Sequence, residues 1–128
     1  MGTGTGIGRV RGLGSAHSGT HHWWMQRITA GGNLLLVTWL VVSFFLIPLR
    51  DYRGLTIWLG NPINAVALIL ATVSVFYHLR LGLQVFIEDY LHDSSRVVAI
   101  VLLNFYAVAG AALAIFAILK VAFQGAVV

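Results

Sequence analysis

Between Phe76 and Tyr90 the chain passes from the end of a long apolar run into a cluster of polar groups, and two sets of residues there have usable chemistry. His78 sits inside the apolar run, where an ionisable side chain is costly and marks either a ligand site or a structural hydrogen bond. A neutral imidazole at that depth is a good axial ligand for haem iron, and Gly82, one turn later, lets a flat macrocycle lie close to the backbone. Asp89 and Tyr90 close the stretch, with Glu88, His92, Asp93 and Arg96 beside them. A tyrosine hydroxyl can donate to a quinone carbonyl, and a nearby carboxylate can orient the donors and deliver protons. The same cluster also reads as a solvated loop that caps the next helix.

These groups need a helix to hold them. At about 100° per residue, Gly82, Val85 and Asp89 all fall within about 40° of His78 around such a helix. The axial rise separates His78 from Asp89 by roughly 16 Å, about half of a hydrocarbon core. One helix face would thus carry a ligand site at depth and a second polar site near the membrane surface.

Composition demands a membrane. Of 128 residues, 59% are hydrophobic and only 9% charged, with a mean hydropathy of +0.87. A soluble domain with so little charge could not cover itself with polar surface. Three runs without charge, residues 28–49, 55–79 and 97–119, each exceed the roughly 20 residues a spanning helix requires. The expected fold class is all-α: an integral membrane protein with three transmembrane helices, its spans at about 28–49, 58–87 and 96–120. Residues 1–27 then form a glycine-rich tail and interfacial segment, and residues 28–128 the anchor domain. With no cysteine there are no disulfides, iron–sulfur ligands or covalent haem attachment. A pI of about 10.1 would suggest nucleic acid in a soluble protein, but here the basic residues stand at span ends, so nucleic acid is dismissed.

Along the chain, the glycines of residues 1–20 lack the strand and lysine of a phosphate-binding loop, and no apolar core follows them as in a signal peptide. Trp23 and Trp24 suit an interfacial belt or a ligand contact. Arg27 stands just before the first run and can reach inward to an anionic group. His17, His21 and His22 form only a weak metal pattern. Thr29, Gly31, Gly32 and Asn33 permit close helix approach, as does a stripe of Ala67, Ala71, Ser74, His78 and Gly82 on the second span. Arg80 projects to the opposite side and can snorkel. The third span, with Asn104, Tyr106 and Gly110, reads as a packing helix. Arg9, Arg11, Arg27, Arg80 and Arg96 fall on one side, against Arg50, Arg53 and Lys120 on the other, which places the N-terminus in the cytoplasm.

The pattern of His78, ten residues, then Asp89-Tyr90 resembles the smaller hydrophobic membrane anchor of succinate dehydrogenase (respiratory complex II). So do the segment Gly19-Thr20-His21 through Arg27-Ile28-Thr29-Ala30 and the three spans. The likeness covers nearly all of the chain after about residue 14. The resemblance implies that His78 is an axial ligand of haem b, that Tyr90 hydrogen-bonds ubiquinone with Asp89 in support, and that Arg27 lies near a haem propionate or the quinone pocket. It implies a second membrane anchor subunit sharing haem and quinone, and docked iron–sulfur and flavoprotein subunits. The location would be a bacterial cytoplasmic membrane or a mitochondrial inner membrane. The Ser and Arg quinone pair usual in the other anchor is not found here. An anchor of fumarate reductase or another quinone-linked oxidoreductase is the first alternative, and a non-redox membrane scaffold the second.

Overall fold

The computed structural model describes residues 6, 19–46 and 51–125. The tail with Arg9, Arg11 and His17, together with Pro48, Leu49 and Arg50, lies outside the described residues, as does the very end of the chain. The described chain folds into helices α1 (Gly19–Leu46), α2 (Tyr52–Gly60), α3 (Pro62–Tyr90) and α4 (Asp93–Gly125). In hydrocarbon every backbone N–H and C=O must be satisfied within the segment, and for a single apolar run only the helix does this. Helices α1, α3 and α4 are long and apolar enough to cross a membrane, giving a multi-pass all-α protein. At about 1.5 Å per residue each exceeds 40 Å, longer than the hydrocarbon core, so their polar ends reach the headgroup region.

The helices begin and end differently from the apolar runs. α1 starts at Gly19 and so carries Trp23, Trp24 and Arg27 on helical backbone. The expected second span from residue 58 is broken at Asn61-Pro62. Proline disfavours the helical conformation in the residue before it, and Asn61 is extended (φ −74°, ψ 120°). The Asn61 Oδ1 atom accepts from Ile63 N–H at 2.9 Å, and Asn64 Nδ2 donates to Trp58 O at 2.9 Å. The residues before the break become α2, capped by Asp51 Oδ1 accepting from Gly54 N–H at 3.1 Å. The third span's helix starts at Asp93, which has a φ of +56°, a conformation aspartate tolerates better than most residues.

Helix α3 is the middle of the row. Its backbone closely approaches α1 on one side and α4 on the other, while α1 and α4 do not approach each other among the described residues. At the α2 end, Trp58, Leu59, Ala65 and Ile118 form a buried cluster with Trp39 and Leu40 against it. The Trp39 and Trp58 rings stack at 5.5 Å. Tyr52 also donates to Gln124 Oε1 at 3.0 Å, tying α2 to α4. This apolar end fixes the helix row and leaves the start of α1, the end of α3 and the start of α4 together at the opposite end.

The α3–α4 seam depends on Gly110. A Cβ there would meet Phe76 Cε1 at 2.5 Å and Cζ at 2.9 Å, closer than carbon atoms can pack. Gly110→Val should therefore destabilise the chain by about 1–3 kcal/mol through overpacking. Thermal unfolding in detergent would show the loss, and adding Phe76→Leu should recover much of it. A Gly110→Val protein as stable as the parent would mean that the seam is looser than described.

Candidate functional site

The small-residue stripe on α3 faces α1. Ala71 is buried, Ser74 Oγ lies 3.5 Å from where a Gly32 Cβ would stand, and Ser74 Oγ approaches Thr29 O at 3.5 Å. One turn further on, the half-buried His78 ring is held by a hydrogen bond between Nδ1 and Thr29 Oγ1, at 3.0 Å. Thr29 is itself anchored, since its hydroxyl reaches Met25 O at 2.7 Å and Gln26 O at 3.1 Å. Among the described residues His78 Nε2 has no hydrogen-bond partner. The ring is thus oriented across the α1–α3 seam with one nitrogen available.

Arg80, two residues on, stands about 200° away from His78 around the helix. It meets α4, where its Nε donates to Asn104 Oδ1. The expected opposition of Arg80 and His78 is present, but Arg80 bonds sideways to its neighbour rather than running to the surface. From sequence Asn104 is a packing residue; the signal pointing further is a carboxamide and a guanidinium at depth in facing spans, where each needs a partner.

Gly82 has nothing within 4 Å of the position a Cβ would occupy. The α3 face beyond His78 is therefore open to a flat ligand. Helix α1 runs antiparallel alongside, so the residue seven before Thr29, about 10 Å along the axis, is level with the stretch after Gly82. That residue is His22, and its Nε2 is buried without a partner. An available imidazole nitrogen, an unfilled glycine face and an orphaned buried donor or acceptor fit a haem edge with polar substituents.

The other expected residues are not gathered there. Arg27 is exposed, with its guanidinium 4.8 Å from the centre of the Trp23 ring, a contact worth about 0.5–1 kcal/mol at such a site. It lies about 200° around α1 from Thr29, so within this chain it does not share the His78 face. Asp89 shares that face by helical position but is exposed at the last turn of α3. Tyr90 stands about 120° round from His78, is 69% exposed, and packs its ring 4.6 Å from Phe86. Among the described residues the Tyr90 hydroxyl has no hydrogen-bond partner, and Glu88 is engaged by Gln84 Nε2 at 2.8 Å. No three His, Cys, Asp or Glu side chains gather to hold a metal ion among the described residues. Any iron at His78 needs its remaining ligands from elsewhere.

A row of three apolar helices, with a histidine held across one of its seams and an exposed polar end, defines an integral membrane protein of the anchor type. The chain belongs to the family of succinate dehydrogenase/fumarate reductase transmembrane subunits, which matches residues 1–121. It is 43% identical over 86 residues to the succinate dehydrogenase hydrophobic membrane anchor subunit of Rickettsia bellii (strain RML369-C), covering 66% of this chain and 68% of that one. The succinate dehydrogenase membrane anchor subunit of Reclinomonas americana is 30% identical over 100 residues, 71% of this chain and 79% of that one. The hydrophobic membrane anchor subunit of Paracoccus denitrificans is 29% identical over 123 residues, 93% of this chain and 92% of the relative. No solved structure matches.

Proposed function

We propose that this chain, a membrane anchor subunit of succinate dehydrogenase, holds one side of a haem b through His78 and forms part of a ubiquinone reduction site at Asp89 and Tyr90. The observation that carries the proposal is the oriented His78 ring with an available nitrogen beside the open Gly82 face. His78 is the only histidine within the three apolar runs, so if the haem is held by two histidines the other would come from another chain. Arg27 and His22, near the same end of the row, are the groups of this chain able to meet propionates, Arg27 by swinging off Trp23. Bound haem supplies a one-electron store between the iron–sulfur clusters and the quinone.

The chain's own residues bind and orient. Tyr90 donates its hydroxyl to a quinone carbonyl, a bond that strengthens as the carbonyl gains charge. Asp89, a residue away and open to water, supplies the carboxylate through which protons reach the reduced oxygen. The quinone tail stays in lipid along the apolar faces of α3 and α4. The basic-residue bias read from the sequence, with Arg27 and Arg96 toward the His78 end of the described helices, favours that end as cytoplasmic. An iron–sulfur subunit carrying a flavoprotein then docks beside Tyr90. The named relatives are all succinate dehydrogenase subunits, which favours succinate oxidation over fumarate reduction.

The test is purification through a tag on this chain from mild detergent. Co-purification of flavin and iron–sulfur chains, with succinate-dependent ubiquinone reduction, is expected. Recovery of the chain alone or with unrelated membrane proteins, from membranes that retain the activity, would overturn the assignment.

A further inference from the structure

Resting on the haem reading, we infer that Thr29 is a positioning residue that fixes the His78 tautomer, holding the proton on Nδ1 so that the Nε2 lone pair faces the iron. The Thr29 hydroxyl has one proton and two carbonyls of its own helix within reach, Met25 O at 2.7 Å and Gln26 O at 3.1 Å. A threonine in a helix commonly donates back to the carbonyl four residues earlier, and the 2.7 Å contact is the shortest hydrogen bond this hydroxyl makes. With that proton committed to α1, Oγ1 can only accept from His78, and the 3.0 Å contact to Nδ1 is an N–H donation into the oxygen. Nε2 then carries the lone pair. The opposite tautomer would need the hydroxyl to leave Met25 O, and would put a proton on the nitrogen that must bind metal.

Two consequences follow for the ligand. A donated Nδ1–H increases the basicity of the coordinating nitrogen and fixes the plane of the ring. The more basic ligand favours ferric over ferrous iron. Because Thr29 belongs to α1 and His78 to α3, the seam between the two helices sets the ligand plane. The Ser74 Oγ and Gly32 contact one turn deeper holds the same seam.

The experiment uses the whole complex with Thr29→Val, Thr29→Ala and Thr29→Ser, beside His78→Ala. The readouts are the low-spin ferric electron paramagnetic resonance signal, haem transfer to an excess of apomyoglobin, and the haem midpoint potential. Thr29→Val and Thr29→Ala should keep low-spin haem but shift its g values and release it about tenfold faster. The midpoint potential should rise, by about 59 mV if the ferric-to-ferrous ratio changes tenfold. Thr29→Ser keeps the hydroxyl and should match the parent. Should the valine variant fail to assemble, the smaller alanine variant reads the same hydrogen bond. Parental values in both hydroxyl-free variants would overturn the inference, as would a serine variant altered as much as they are. If His78→Ala keeps low-spin haem, the ligand reading fails and the Thr29 inference with it. If only the threonine variants are silent, the ligand reading stands and the tautomer inference alone is lost.

Discussion

Replacing His78 by alanine should abolish the low-spin haem b signal of the purified complex while leaving the chain in the membrane. The ring is the one imidazole within the three apolar runs, and on the proposed reading its removal takes a ligand from the iron. On that reading a haem deprived of this ligand would turn high-spin or be lost. Retention should fall by at least the factor of about 10–100 associated with losing a mere supporting contact of a metal ligand. Stability should change little, because His78 is only half-buried and alanine favours the helix. Absorption and electron paramagnetic resonance spectra of complex matched for flavin content make the measurement. An unchanged low-spin spectrum and midpoint potential would show that His78 is a structural hydrogen-bond partner of Thr29 and nothing more.

Tyr90→Phe should slow ubiquinone reduction several-fold or more while sparing succinate oxidation by an artificial acceptor that takes electrons upstream. The substitution removes one hydroxyl and almost no volume, and the ring can keep its place 4.6 Å from Phe86. A hydrogen bond to a neutral carbonyl contributes about 0.5–1.5 kcal/mol net, or about two- to tenfold in affinity. Strengthening of that bond as the carbonyl gains charge adds a loss in kcat. The exposed hydroxyl, which bonds nothing among the described residues, supports the expected loss: it is a donor free to meet a ligand. Survival of both activities would reduce Tyr90 to an interfacial anchor. Collapse of both would point to failed assembly.

Much of this was legible in the residues. The three apolar runs specify the spans because lipid leaves a run of that length no other backbone solution. His78 stands out since an imidazole in hydrocarbon requires a partner, and a 100° helical step puts Arg80 on the far side from it. Pro62 marks a helix start, but residues 52–60 hide their own helix because their apolar pattern runs on into α3. Asn61, capping in both directions just ahead of Pro62, separates them. Thr29 was legible only as a small residue, since a threonine that back-bonds to its own helix looks the same in sequence whether or not it also meets a neighbour. The register that sets it opposite His78 comes from the fit of Gly32 against Ser74 across two helices, and no local period encodes that. Likewise Asn104 and Arg80 are paired by the α3–α4 seam at Phe76 and Gly110. The wide angle between Tyr90 and the His78 face follows from counting residues, and it sets the proposed quinone end apart from the proposed haem face.

The most direct measurement is the dithionite-reduced minus air-oxidised absorption spectrum of the complex purified through this chain, with haem and flavin quantified together. A b-type haem band accompanying the flavin is the expected result, together with a low-spin ferric signal. A complex with full flavin and iron–sulfur content, active in succinate-dependent quinone reduction but carrying no b-type haem, would contradict the haem role of His78.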